Sequence, residues 1–70
     1  MSADPTVAVG FLSYCVNSLE DISNTERSLL REMLMAAQTN SLRAWGTSNQ
    51  HRADEVWKLF EKIKGRLNAP

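Results

Sequence analysis

The chain has 70 residues, and its eight basic and eight acidic side chains give a formal net charge of zero at pH 7. A neutral chain of this length has room for one small domain, and it lacks the overall positive charge that draws a protein to nucleic acid or to an acidic membrane. The single cysteine, Cys15, excludes an internal disulfide, and no Cys/His cluster is present to hold a structural zinc ion. Oligomerisation is the remaining common way to stabilise the fold of a domain of this size.

The first predicted helix covers residues 5–22 and includes an uncharged run of ten residues at 7–16. Asp4 and Pro5 are typical of a helix start, as a cap and as a residue that the first turn tolerates. At about 100° per residue, the apolar side chains of this helix form an arc of roughly 200°. A strand is the alternative for the run, because β-branched and aromatic residues are frequent in it, but no second strand candidate pairs with it.

The same apolar run bears on where the protein is located. It is far shorter than the roughly 20 residues that span a bilayer. It also lacks the basic segment that begins a signal peptide, since Asp4 stands where Lys or Arg is expected. We therefore expect a cytoplasmic protein with no membrane partner.

The second predicted helix covers residues 26–45. Ser23 and Glu26 have the spacing of a capping box at its start, and Gly46 is a natural left-handed terminator at its end. Residues 39–41 have low helix propensity, which leaves open a bend or an early end. The predicted core side chains of this helix are Leu29, Leu30, Met33, Leu34, Ala36, Ala37, Ala44 and Trp45.

The third predicted helix covers residues 49–67, preceded by the polar segment 47–49 that supplies caps. Its predicted core side chains, spaced by three and four, are Ala53, Val56, Trp57, Leu59, Phe60, Ile63 and Leu67. The first third of the chain is acidic and the tail mildly basic, so the two regions can attract each other in an antiparallel or domain-crossed assembly. The pattern as a whole predicts a single all-α domain, a three-helix bundle.

Catalytic or metal-binding residues are not indicated. His51 and Glu55 lie four residues apart, but two ligands do not complete a metal site. Cys15 lies among apolar residues without a neighbouring cation to activate it, so it is expected to be a buried small side chain. No Ser-His-Asp order and no phosphate-binding glycine loop occurs. We therefore expect neither an enzyme nor a cofactor.

Surplus apolar surface is the main functional indication. The arc on the first helix is about twice as wide as one neighbour requires, which predicts a homodimer with a six-helix core. The predicted self-association line is Val9, Leu12, Val16 and Leu19. A second, minor stripe on the second helix is the predicted partner contact, formed by Arg31, Met35, Gln38 and Leu42. These surfaces indicate a small adaptor, regulator, inhibitor or assembly factor that binds another protein, whose identity the sequence does not give.

DNA binding is the alternative function. Residues 42–52 resemble a helix-turn-helix arrangement, with a glycine turn before a mildly basic helix. The candidate nucleic-acid contacts are Ser48, Asn49, Gln50 and Arg52. Aligning Gly46 with the usual turn glycine, however, puts Arg52 and Glu55 at positions where the motif has buried apolar residues. The outer face of the third helix also alternates acid with base, so it would neutralise few phosphates.

Overall fold

The computed structural model describes the backbone of residues 5–68 and the side chains of residues 6–66. This part of the chain contains four α-helices and no strand, which confirms the all-α prediction and rules out the strand alternative for residues 7–16. A short 3₁₀ turn, Gln50–Arg52, precedes the last helix. The helices are α1 (Pro5–Ser18), α2 (Asn24–Gln38), α3 (Leu42–Ser48) and α4 (Ala53–Asn68).

Helix α1 begins at Pro5, as predicted, whereas the predicted cap Asp4 lies outside the described residues. The helix ends at Ser18 rather than at residue 22. The early end is stabilised from the next helix, because the guanidinium of Arg27 donates hydrogen bonds to the carbonyl oxygens of Val16 and Leu19. The last carbonyls of a helix have no partner within it, so an arginine at this position replaces the missing donors.

Helix α2 begins with the predicted capping box. The backbone N–H of Ser23 donates to Glu26 Oε1 at 2.8 Å, and the backbone N–H of Glu26 donates to Ser23 Oγ at 3.1 Å. The two bonds satisfy donors that a helix start otherwise leaves to water. This local feature fixes where the chain re-enters helix after the turn that follows α1.

The prediction that the second helix continues to residue 45 and ends at Gly46 is wrong. Helix α2 ends at Gln38, and Asn40 adopts a left-handed backbone with φ of 56°. The N–H of Ser41 bonds the carbonyl of Ala36 at 2.7 Å, and that of Asn40 bonds Ala37 at 3.1 Å, the pattern of a Schellman C-cap. Asparagine tolerates this conformation better than most residues, so Asn40 terminates the helix. Gly46 lies inside α3 instead, and the predicted three helices become four.

The core lies between α1, α2 and α4. Leu30 of α2 and Leu59 of α4 are completely buried, and Cys15 of α1 lies with them. Helix α3 has no fully buried residue and contributes Leu42 and Trp45, which are partly buried against the core. The buried cluster comprises Leu12, Cys15, Val16, Leu19, Ile22, Leu29, Leu30, Met33, Ala37, Leu59 and Ile63. Of the predicted core of the second helix, Ala44 is the member that the structure leaves exposed.

Helix α4 buries a narrower stripe than its sequence predicts. Leu59 and Ile63 are buried and Val56 is partly buried, but Trp57 is 65% exposed and Phe60 37% exposed. Ala53 is exposed as well, and the side chain of Leu67 lies outside the described residues. The prediction that all seven apolar residues face the core is therefore wrong for Ala53, Trp57 and Phe60. A helix in contact with only two neighbours cannot cover so wide an arc.

Ion pairs tie α4 to the α1–α2 hairpin. Arg66 pairs with Asp21 in the turn after α1, and Lys62 Nζ lies 3.1 Å from Glu26 Oε1 at the start of α2. Arg52, just before α4, lies 3.1 Å from Glu32 in the middle of α2. The attraction between the acidic first third and the basic tail thus operates within one chain. Because late residues of α4 meet early residues of α2, the two helices run antiparallel, and α4 runs in the same direction as α1.

Candidate interaction surface

Among the described residues, α1 and α4 each expose more than one large apolar side chain, whereas α2 exposes Met35. On α1, Val7, Phe11 and Tyr14 are all exposed, and their spacing of four and three places them on one side of the helix. On α4, Trp57 and Phe60 are exposed at the same spacing of three. Scattered exposed apolar residues are normal on a small protein, so the question is whether these five form one surface.

On both α1 and α4, the flank that faces α2 can be identified from its contacts, and this shows on which flank the exposed apolar side chains lie. Val9 lines a surface depression with Ala37 and Gln38 of α2, so the Val9 flank of α1 faces α2. On α4, the flank with Lys62 faces α2, because Lys62 pairs with Glu26 there. At about 100° per residue, the exposed apolar residues lie on the other flank of each helix.

The exposed apolar side chains of α1 and α4 therefore each lie on the flank of their helix that is turned away from α2. We call Val7, Phe11, Tyr14, Trp57 and Phe60 the aromatic face. Its four rings expose on the order of 400 Å² per chain, taking roughly 150–250 Å² for a whole aromatic side chain. A patch of this size is comparable with the largest on typical monomers, which are often functional.

The α1 part of the aromatic face is also free of charge. Helix α1 has no charged residue along Pro5–Ser18, although much of it is exposed. On α4, by contrast, the exposed charged residues Asp54, Glu61 and Lys64 lie within about one turn of Trp57 or Phe60. Enrichment in aromatic residues with depletion of charge is the composition that distinguishes the buried centre of a protein–protein interface from ordinary surface.

The predicted self-association line lies in the interior of the chain itself. Leu12, Val16 and Leu19 are buried in the core, and Val9 is partly buried against it. Leu12, Val16 and Leu19 are covered by neighbouring parts of the same chain, and Val9 keeps only part of its surface exposed. The wide apolar arc of α1 faces both the core and the solvent. The side chains that face the solvent are Val7, Phe11 and Tyr14.

The predicted partner stripe is interrupted. Met35 is 68% exposed and Arg31 and Gln38 are exposed beside it, on the side of α2 turned away from the core. Leu42 does not continue the stripe, because α2 ends at Gln38 and Leu42 packs against the core from α3. Met35 is thus a single apolar side chain among polar neighbours.

The predicted nucleic-acid contacts do not begin an α-helix. Ser48 is the last residue of α3, and Gln50 and Arg52 lie in the 3₁₀ turn before α4. Asn49 donates to the carbonyl of Trp45 at 2.8 Å, and Arg52 pairs with Glu32 and, at 4.0 Å, with Glu55. Two of the four polar side chains are therefore engaged within the chain.

Groups for catalysis, metal binding or membrane insertion do not assemble in the described part of the chain. No three His, Cys, Asp or Glu residues among the described ones come close enough to hold a metal ion, and His51 is exposed in the 3₁₀ turn. Cys15 is completely buried, and loss of solvation raises the pKa of its thiol. Each helix described here is too short or too polar to cross a bilayer.

Comparison with known proteins adds no assignment: the chain matches no protein-family model, no curated protein and no solved structure. The aromatic face is the strongest candidate site. Sequence reasoning missed it by assigning Trp57 and Phe60 to the core and by placing self-association on the line of Val9, Leu12, Val16 and Leu19. The spacing of Val7, Phe11 and Tyr14 around Gly10 was the available signal, since these positions share one side of a helix.

Proposed function

We propose that this chain is a non-catalytic protein–protein interaction module, a small adaptor, regulator, inhibitor or assembly factor that binds through the aromatic face. The observation that carries the proposal is the exposure of Phe11 and Tyr14 on the uncharged helix α1 and of Trp57 and Phe60 on α4. Aromatic side chains in such a setting supply most of the energy in many interfaces, because they bury a large area with few rotatable bonds.

Homodimerisation is the association state that we propose for the module. The chain is small and its core is formed by three helices. Its one cysteine is buried and has no second cysteine in the chain with which to form a disulfide. Small domains of this kind gain stability when a second chain covers apolar surface that the first leaves in water.

DNA binding has less support as a function. Arg52 is held in ion pairs with Glu32 and Glu55, and α4 begins only at Ala53, after the segment that a recognition helix would need. The basic residues Lys62 and Arg66 of α4 are likewise paired with acidic residues of the same chain. Paired cations release few counterions on contact with phosphates, so they add little affinity for a nucleic acid.

A photo-crosslinking amino acid at defined positions tests the proposed function. We place it at Trp57, in the aromatic face, and at Met35, which is equally exposed but lies on the far side of α2. The expected result is one discrete protein adduct, a second copy or another protein, from position 57 and none from position 35. Equal adducts from both positions, or none from position 57, would contradict an interaction through the aromatic face.

A further inference from the structure

We propose that the aromatic face is the interface of a symmetric homodimer in which the two copies of α1 cross at Gly10. This inference rests on the proposed function, because it names the occupant of the surface argued for there. It also replaces the line of Val9, Leu12, Val16 and Leu19, which packs inside the chain, as the region through which two copies meet.

Gly10 is the observation that points to a crossing helix. It lies in the interior of α1, and a Cβ atom placed on it meets no atom within 4 Å. Nothing within the described chain therefore requires a glycine there, although glycine in a helix interior costs about 1 kcal/mol relative to alanine. A glycine at an exposed helical position permits a close approach by a second helix. Gly46 and Gly65 have equally open surroundings, so Gly10 is distinguished by its position beside exposed aromatic side chains on an uncharged helix.

The position of Gly10 relative to the exposed side chains supports this use. Val7, Gly10, Phe11 and Tyr14 follow the spacing i, i+3, i+4 and i+7, which places all four on one side of α1. The glycine thus forms a notch at the edge of the aromatic face, between Val7 and Tyr14 on one side and the small polar residues Ser13 and Asn17 on the other. Two helices with the same notch can approach closely there while the rings of each copy pack beside the backbone of the other.

Charge favours a second copy as the occupant. A two-fold axis brings each surface against itself, so any charge near the axis meets the same charge. Helix α1 carries no charge along its entire length, and the chain as a whole is neutral. The α1 part of the aromatic face can therefore contact its own copy without like-charge repulsion, a condition that most charged surfaces do not meet.

The available area is sufficient for a small dimer. The rings expose on the order of 400 Å² per copy, and Val7 and the backbone around Gly10 add to this. Two copies together reach about 1,000 Å², which is near the lower limit for a specific protein–protein interface. We therefore expect a dimer that dissociates at micromolar concentrations rather than an obligate one.

The test measures the molar mass of the purified chain by light scattering during size exclusion, over a range of micromolar concentrations. The wild-type chain is expected at twice its monomer mass of 7.9 kDa at the upper end of this range. Gly10→Glu and Gly10→Lys should each be monomeric, because the axis places two like charges in contact. Circular dichroism should show unchanged helicity, since both residues form helix better than glycine.

The matched control is Gly65→Glu. Gly65 also lies inside a helix with no atom within 4 Å of a Cβ, but on the flank of α4 away from the aromatic face. This variant should dimerise as the wild type does. Mixing Gly10→Glu with Gly10→Lys in equal amounts should restore a dimer, because opposite charges then meet at the axis.

Four outcomes would overturn the inference. A wild-type chain that stays monomeric while position 57 crosslinks to a different protein leaves the proposed function standing and removes the homodimer. A dimer that Gly10→Glu and Gly10→Lys leave intact places the interface elsewhere. A dimer that both variants dissociate but that their mixture does not restore removes the crossing at Gly10. A monomer with no adduct at position 57 contradicts both proposals.

Discussion

The guanidinium of Arg27 lies 2.6 Å from the carbonyl oxygen of Leu19 and also reaches the carbonyl of Val16. One side chain of α2 thus covers the exposed carbonyl end of α1. This contact joins the first two helices where the chain reverses direction, and the positive charge lies at the negative end of the α1 dipole.

Removing this contact should destabilise the fold. We expect Arg27→Ala to lower the free energy of unfolding by about 1–3 kcal/mol, because hydrogen bonds from a charged donor are lost and partly buried carbonyls stay unpaired. Urea denaturation followed by circular dichroism measures the change. Arg31→Ala, one turn later on the exposed side of α2, should change stability by less than about 0.5 kcal/mol. Equal losses from the two variants would argue against a capping role for Arg27.

The stability of the fold should decrease at acidic pH through Glu26. The pKa of Glu26 lies below its ordinary value of 4.5, first because the Ser23 backbone N–H donates to the carboxylate and also because Lys62 lies beside it. A carboxylate with a lowered pKa stabilises the folded state above the pKa of the unfolded chain. That contribution is lost as the pH falls below about 4.5 and through the lower, folded-state pKa.

We therefore expect Glu26→Gln to be less stable than the wild type at pH 7 and to lose less stability between pH 7 and pH 3. Urea midpoints at a series of pH values give the comparison. Glu20→Gln serves as the control, because Glu20 is exposed and takes part in no ion pair of the described residues. Parallel pH profiles for wild type and Glu26→Gln would exclude Glu26 as a source of the acid sensitivity.

Asn40 should be sensitive to the shape of the side chain that replaces it. Its φ of 56° is accessible to glycine and asparagine but strained for β-branched residues. Asn40→Val should lower stability by about 1–2 kcal/mol, whereas Asn40→Gly should be neutral or slightly stabilising. Thermal unfolding of the two variants measures the difference. If valine is tolerated as well as glycine, the left-handed end of α2 is not a fixed feature of the fold.

The two sides of α4 should respond differently to truncation. Leu59 is completely buried, and Leu59→Ala should cost about 2–5 kcal/mol, as for other core leucines. Trp57 is mostly exposed, and Trp57→Ala should cost less than about 1 kcal/mol in the monomer despite the larger loss of atoms. Denaturation at submicromolar concentration separates this effect from association. Similar costs at the two positions would show that Trp57 belongs to the core.

Cys15 should be chemically protected by the fold. Its side chain is completely buried, and loss of solvation raises the pKa of the thiol, so little reactive thiolate is present at neutral pH. We expect a thiol reagent to modify Cys15 only as fast as the chain unfolds, and at once in denaturant. The rate of colour release with an aromatic disulfide measures this. Rapid modification of the native chain would indicate that α1 separates from the core.

Local sequence signals determined much of the fold. The capping box at Ser23 and Glu26, the start at Pro5 and the burial of Cys15 depend on neighbouring residues or on one apolar arc, and the structure agrees with each. The weakness at residues 39–41 was visible as well. Whether it would bend or end the helix depended on Asn40 adopting a left-handed backbone, which allows Leu42 to pack against the core.

Only the tertiary structure decided which apolar residues are covered. Along the sequence of α4, Trp57 and Leu59 are equivalent core candidates, because helical periodicity gives the width of an apolar arc but not the number of neighbours that cover it. Ion pairs from Lys62 and Arg66 hold α4 against the α1–α2 hairpin by one flank. The opposite flank, with Trp57 and Phe60, is left exposed as a consequence of how three helices meet around one small core.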